Sequence, residues 1–268
     1  MAWCEDEPAQ ALLGALLSGP VTPELAGRAA AALDLPERGR YAVVAWPATG
    51  SGAPRPGCEG RGTAPGGERL RFLRHPGPGH DFAVALLGER EPASLARWLN
   101  ELDAGRAGVG PAVEGLAGLP GGRRLAEVAL LTCPPDGVTA VTLEQRLPAA
   151  LLVSQPELAD LLVTGALGPL LALAQGEREV LVGTLDVWLE CGGSPGRAAV
   201  RLHCHRNTVL NRLRRLERLT ARSLSRPREL VELTLALDAF RLTPASRRTG
   251  PVRAYGGAPG PGDGPPVS

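Results

Sequence analysis

The sequence predicts an α+β chain: a mixed domain of interleaved strands and helices over residues 38–150, then an all-α domain over 177–243 that holds a helix-turn-helix. Three observations predict it. Buried-type strand runs at 41–46 and 81–87 alternate with helical periods as far as Thr142. Strand patterns then disappear beyond Leu151. Finally, the helical periodicity of 177–219 is punctuated twice, by Gly192-Gly193 and by His203-Cys204-His205.

Residues 8–33 read as a helical hairpin. Leu12, Leu13, Leu16 and Leu17 form one apolar stripe, Gly19-Pro20 breaks it, and Thr22-Pro23-Glu24 starts a second helix carrying Leu25, Ala29, Ala32 and Leu33. A strand at 41–46 follows, and then a loop at 47–67 dense in Gly, Pro and Arg. Residues 70–73 and 81–87 are the arms of a hairpin. Helices at 92–102 and 123–131 and short strands at 108–110 and 138–142 complete the mixed domain. Two short helices, 156–162 and 167–173, join the halves. The resulting plan is an N-terminal helical segment (1–37), the α+β domain (38–150), a helical linker (151–176), the helix-turn-helix domain (177–243) and a disordered tail (244–268) rich in Pro, Gly and Ser.

Composition narrows the function classes. Apolar residues make up 44% of the chain but aromatics only 3%, so the core is built from Leu, Val and Ala. All 29 basic residues are Arg, and with 35 Gly and 26 Pro this is the composition that a high-GC, actinobacterial-like bacterial genome gives. The five cysteines lie far apart with no Cys-x-x-Cys, against a disulfide framework and against a zinc site. No apolar run is long enough to span a bilayer, and the acidic start Glu5-Asp6-Glu7 is unlike a signal peptide. The expectation is a cytoplasmic protein with no membrane partner. Its net charge of +1 conceals an asymmetry: ten Arg and one acid, Glu217, give +9 between Arg197 and Arg228, leaving −8 elsewhere. That polarity marks an anion-binding module beside a neutral or acidic domain.

Within the basic region, Leu181, Leu185, Trp188 and Leu189 share one helical face. Gly192-Gly193 ends that helix, and Ser194-Pro195 is an N-cap with Pro at the first helical position. A second helix over 196–202 presents Ala198, Ala199 and Leu202. His203-Cys204-His205 makes the turn into a third, over 206–219, with Val209, Leu213 and Leu216 on its core face. Asn207, Asn211, Arg214 and Arg218 lie opposite, flanked by Arg206, Arg212 and Arg215. Arginine donates two bonds to guanine and asparagine pairs with adenine in the major groove of DNA. Arg206, Asn207 and Asn211 are therefore expected on bases, and Thr208, Arg212 and Arg215 mainly on the phosphate backbone.

His203-Cys204-His205-Arg206-Asn207-Thr208-Val209-Leu210-Asn211-Arg212-Leu213, with Thr184-Leu185, the Gly192-Gly193-Ser194 turn and Ala198-Ala199, closely resembles the PucR/CdaR family of bacterial regulators. Two positions depart from the family: Asn211 stands where an aromatic is usual, and Ala221 follows Thr220 where Gly is usual. Upstream, Val109-Gly110-Pro111, Gly115-Leu116 and Leu167-Gly168-Pro169-Leu170 resemble the family's GGDEF-like domain and linker. The resemblance implies a degenerate GGDEF-like α+β domain before the helix-turn-helix. It also implies sequence-specific binding of double-stranded DNA, by a homodimer or higher homo-oligomer. Room remains for a small-molecule effector or a protein partner. The further N-terminal sensory domain common in the family is expected to be absent, since the chain begins with its short helical segment.

No enzyme is expected, and no cofactor. The mixed domain has no Gly-Gly-Asp/Glu-Glu-Phe turn; residues 76–82 there read Pro-Gly-Pro-Gly-His-Asp-Phe, and Asp81 alone cannot hold two metals. The 47–67 stretch lacks the Gly-Lys-Ser/Thr of a phosphate-binding loop. His203 and His205 have no neighbouring carboxylate, which favours turn or phosphate contact over metal, and Cys204 between them reads as a small buried apolar residue. The rival reading is a signalling protein whose basic helix binds another partner. Asn207 and Asn211 argue against it, because a purely electrostatic surface has no need of amides.

Overall fold

A computed structural model describes residues 7–48, 62–63, 69–77, 79–133 and 139–242. The tail expected at 244–268 and most of the loop expected at 47–67 lie outside the described residues. The N-terminal part runs α1 (Glu7–Ser18), α2 (Pro23–Leu33), β1 (Arg40–Pro47), β2 (Gly62–Thr63), β3 (Arg69–Pro76), β4 (His80–Leu86) and α3 (Pro92–Glu101). It continues with β5 (Ala107–Val109), β6 (Val113–Glu114), α4 (Leu119–Leu131) and β7 (Ala140–Thr142). The rest is helical: α5 (Leu147–Ser154), α6 (Pro156–Leu171), α7 (Gln175–Glu190), α8 (Pro195–Arg201), α9 (Arg206–Thr220) and α10 (Pro227–Leu242).

β1 lies inside a sheet of order β2-β3-β4-β1-β5-β7, with β6 also on β1; β5 and β7 run parallel and the other pairs antiparallel. Successive strand residues point to opposite faces. Tyr41, Val43 and Ala45 face Leu13, Leu16 and Leu33 of the first two helices, together with α4. Ala42, Val44 and Trp46 face Leu95, Trp98 and Leu99 of α3. Coverage of both faces explains why 41–46 is a continuous apolar run rather than an alternating one. It also places the N-terminal hairpin and the sheet in one core.

The helix expected at 123–131 begins at Leu119, because Leu119 is fully buried and Gly122 fits against Val43 without a side chain. Close approach also sets how α4 meets β5. A Cβ on Gly108 would stand 2.2 Å from the Leu130 backbone nitrogen and 2.3 Å from the Ala126 carbonyl oxygen, so only hydrogen fits.

Two expectations in the linker are corrected. The helices expected at 156–162 and 167–173 are one, α6, with Pro169 inside it. Pro169 lies near the C-terminal end, where its missing N–H costs one hydrogen bond, and burial of Ala166, Leu167 and Leu170 keeps the segment helical. A further helix, α5, precedes it with Pro148 in its first turn. Leu233, Ala236 and Leu237 of α10 close on Ala166, Leu167 and Leu170 of α6 and on Leu181 and Leu185 of α7. The C-terminal helices are thereby seated on the connecting pair. Among the described residues no single helix is long and apolar enough to cross a membrane.

Candidate nucleic-acid interface

The site is built by three short-range devices. Gly192 (φ +61°) and Gly193 (φ +74°) end α7 in the left-handed region, where an L side chain is strained; a Cβ on Gly193 would also press on the Trp188 ring at 3.3 Å. Ser194 then caps α8, its Oγ accepting from the Arg197 N–H at 3.3 Å, with Pro195 in the first turn. His203 takes a left-handed conformation after α8, and His205 caps α9, its Nδ1 accepting from the Asn207 N–H at 3.2 Å. That bond uses the lone pair of a neutral ring nitrogen. A structural task for His205 accounts for a histidine at the turn without invoking a ligand.

Ala198 and Ala199 are buried against Val209 and Leu213, and Cys191 completes this cluster, with Trp188 and Cys204 packed at its edge. Small side chains on α8 are what allow α9 to come this close. Further along, Leu216 enters the larger cluster with Leu181, Leu185 and Leu233. Polar ties reinforce the packing. Arg201 pairs with Glu190 at 2.8 Å, and Arg241 pairs with Asp186, joining α10 to α7. Burial pushes the Asp186 carboxyl above its ordinary range, and Arg241 works against that shift.

The outward stripe of α9 carries Asn207, Asn211, Arg214 and Arg218, all exposed, and Arg206, also exposed, flanks it in the first turn. Asn207 and Asn211 thus share one accessible face, while Arg206, about 100° round the helix from Asn207, is exposed beside it at the helix start. The other three expected contact residues sit on its flank. Thr208 is half-buried, Arg212 donates to Thr184 Oγ1 at 3.5 Å, and Arg215 forms an ion pair with Glu177. Arg212 and Arg215 thus lean on α7. At 100° per residue Thr208, Arg212 and Arg215 fall together, between the core face and the outward stripe.

Sequence reasoning passed over the residues that shape the far end of the helix. Glu217 Oε1 accepts from the Leu224 N–H at 2.8 Å, and Glu229 Oε2 accepts from the Ser223 N–H. Glu217 ties the α9–α10 connection to α9, and Glu229 ties it to the first turn of α10. The signal for this was the lone acid Glu217 inside an arginine run, together with Pro227 and Glu229 in a helix's first turn. Ala221, one of the two departures from the family pattern, closes α9 at φ 51°, ψ 31°, where glycine is the unstrained residue. His203 and His205 are both exposed, and no group of three or more His, Cys, Asp or Glu able to hold a metal occurs among the described residues.

Residues 181–239 match the PucR C-terminal helix-turn-helix domain. The purine catabolism regulatory protein of Bacillus subtilis is 43% identical over 72 residues, which cover 27% of this chain and 14% of that protein. An uncharacterized protein of Mycobacterium tuberculosis (strain H37Rv) is 39% identical over 62 residues, 23% of this chain and 15% of that one. The chain therefore spans about a seventh of the length of these relatives. A solved structure, a regulator of polyketide synthase expression from Bifidobacterium adolescentis, aligns over 87% of this chain and 98% of its own at a TM-score of 0.36 and 18% identity. The signature run at 203–213, the capped three-helix geometry and the match over 181–239 coincide, and that segment is similar to the C-terminal helix-turn-helix domain of PucR proteins.

Proposed function

We propose that this chain is a transcription regulator of the PucR/CdaR type that binds double-stranded DNA with α9 in the major groove. The observation that carries the reading is the division of α9. Val209, Leu213 and Leu216 clamp one face into two packed clusters, while Asn207 and Asn211 are exposed on the other and Arg206 is exposed beside them in the first turn. Amides and guanidiniums on a rigid, exposed helix start suit bidentate reading of adenine and guanine edges. Thr208 is assigned to backbone contact beside them. Arg212 and Arg215 already bond Thr184 and Glu177, so they reach phosphate only by releasing those partners and contribute less than the stripe.

The proposal includes two copies of the chain. One recognition helix reads only a few base pairs, and paired half-sites about 34–36 Å apart supply the missing specificity. Exposed leucines support this: Leu147 and Leu151 on α5 and Leu158 and Leu161 on α6 are 52–71% accessible, an apolar surface suited to a second copy. In this reading the protein works in the cytoplasm and performs no catalysis, and residues 38–150 form a degenerate GGDEF-like domain. The glycine-dependent packing of β5 on α4 gives a physical role to the Val109-Gly110-Pro111 run behind that last assignment.

The test is fluorescence anisotropy of the purified chain on DNA from its own upstream region and on scrambled duplex. The parent is expected to prefer the upstream DNA, and Asn207→Ala and Asn211→Ala are expected to lose about 1–3 kcal/mol of that preference each. Unchanged selectivity in both variants would refute base reading by these two residues.

A further inference from the structure

The groove between the C-terminal half of α9 and the connection to α10 has no assigned role. It encloses about 630 Å³ and is lined by Arg214, Arg218, Arg222 and Arg226 at four-residue spacing, together with Glu217 and Glu229. Its carboxylates are turned to structural work. Glu217 holds the Leu224 N–H and the Ser223 hydroxyl, while Glu229 holds the Ser223 N–H and Arg226. Arg222 pairs with Glu232 at 2.9 Å. Arg214 and Arg218 differ: both are exposed and neither meets a carboxylate among the described residues, and the Arg218 Nε–H donates to the Arg214 carbonyl oxygen of its own helix at 3.4 Å. Two guanidiniums that meet no carboxylate among the described residues thus line a concave surface whose acids are already occupied.

We infer that this groove holds the sugar-phosphate backbone of DNA, with Arg214 and Arg218 as phosphate ligands that extend the footprint beyond the bases read at the start of α9. The inference rests on the DNA-binding reading above and deepens it. From Asn207 to Arg218 the helix rises roughly 16 Å, about five base-pair steps, so a helix whose start meets base edges brings its far end to the flanking strand. Guanidinium forks match phosphate oxygens in two-bond geometry, and Arg214 and Arg218 are exposed on the groove wall. Such contacts carry no sequence information; they set register and orientation.

The experiment measures affinity of the full chain for a random-sequence duplex over a salt series, for the parent, R214A/R218A, R214K/R218K and, as a remote control, the exposed R28A. Each phosphate neutralised contributes about −0.9 to the slope of log K against log salt, so R214A/R218A is expected to flatten the slope by about 1.8. The lysine pair is expected to restore it, which separates charge from folding, and R28A is expected to leave it unchanged. Asn207→Ala in the otherwise parental chain is expected to leave this slope unchanged while it lowers the preference for upstream DNA over scrambled duplex. A parent-like slope in R214A/R218A with intact parental binding would overturn this assignment alone. Absence of salt-dependent binding by the parent would overturn the DNA reading itself. Loss of slope in R28A as well would show a diffuse electrostatic effect and overturn the groove.

Discussion

Gly108→Ala tests the packing on which the mixed domain depends. The added Cβ meets the Leu130 nitrogen at 2.2 Å, the Ala126 oxygen at 2.3 Å and the Leu130 Cα at 2.7 Å. All three are backbone atoms of α4, so no rotamer change relieves them. Ordinary contact begins near 3.4 Å, and α4 must therefore move outward by more than an ångström. That movement separates Ala126 and Leu130 from the sheet residues they bury, Val43 among them. Overpacking of this kind typically costs 1–3 kcal/mol, and with the loosened cluster about 3–5 kcal/mol is expected here. Against a total stability of roughly 5–15 kcal/mol, that is a large fraction. At about 2–4 °C per kcal/mol, thermal denaturation followed by far-ultraviolet circular dichroism should show Tm lowered by about 6–20 °C. Gly165→Ala is the matched control, since it lies exposed in α6 with nothing within 4 Å of its added Cβ. It should raise stability by about 0.5–1 kcal/mol. A Gly108→Ala protein melting within about 2 °C of the parent would refute the close approach of α4 to β5.

Three further outcomes follow from local geometry. Ala221→Gly relieves a left-handed residue at the end of α9 and should stabilise by about 1 kcal/mol, read as a higher urea midpoint. His205→Ala removes the cap of α9 and should cost about 1 kcal/mol, while His205→Asn, which can also accept from the Asn207 N–H, should hold parental stability in the same titration. Burial, with the nearby Arg123 guanidinium, holds the His75 imidazole below its ordinary value of 6.5, while Asp81 works weakly the other way. A depressed folded value means that the stabilisation is present above pH 6.5 and is lost as pH falls. The urea midpoint of the parent should drop between about pH 7.5 and 5.5, and His75→Gln should flatten that drop.

What was legible in the sequence depended on whether a signal was local. The strand at 41–46 and the face of α9 that buries Val209, Leu213 and Leu216 follow from short-range periodicity, and the structure has both elements. Ser194-Pro195 and Gly192-Gly193 carry their cap chemistry in the residue types themselves. The joined helix α6 was not legible because Pro169 signals a break locally, whereas burial against α10, more than sixty residues away, decides in favour of helix. The leaning of Arg212 and Arg215 onto α7 was hidden for the same reason. Their partners, Thr184 and Glu177, precede them by 28 and 38 positions. Gly108 likewise reads as an ordinary glycine in a glycine-rich chain until α4 is laid across it.

The central claim, that the outward stripe of α9 meets duplex DNA, is tested most directly by photo-crosslinking. A benzophenone amino acid replaces either Asn211, on that stripe, or Leu151, which is 71% exposed on α5. Irradiation with labelled upstream DNA should give a protein–DNA adduct from position 211 and none from position 151. Adducts from position 151 alone, or equally from both, would contradict the account.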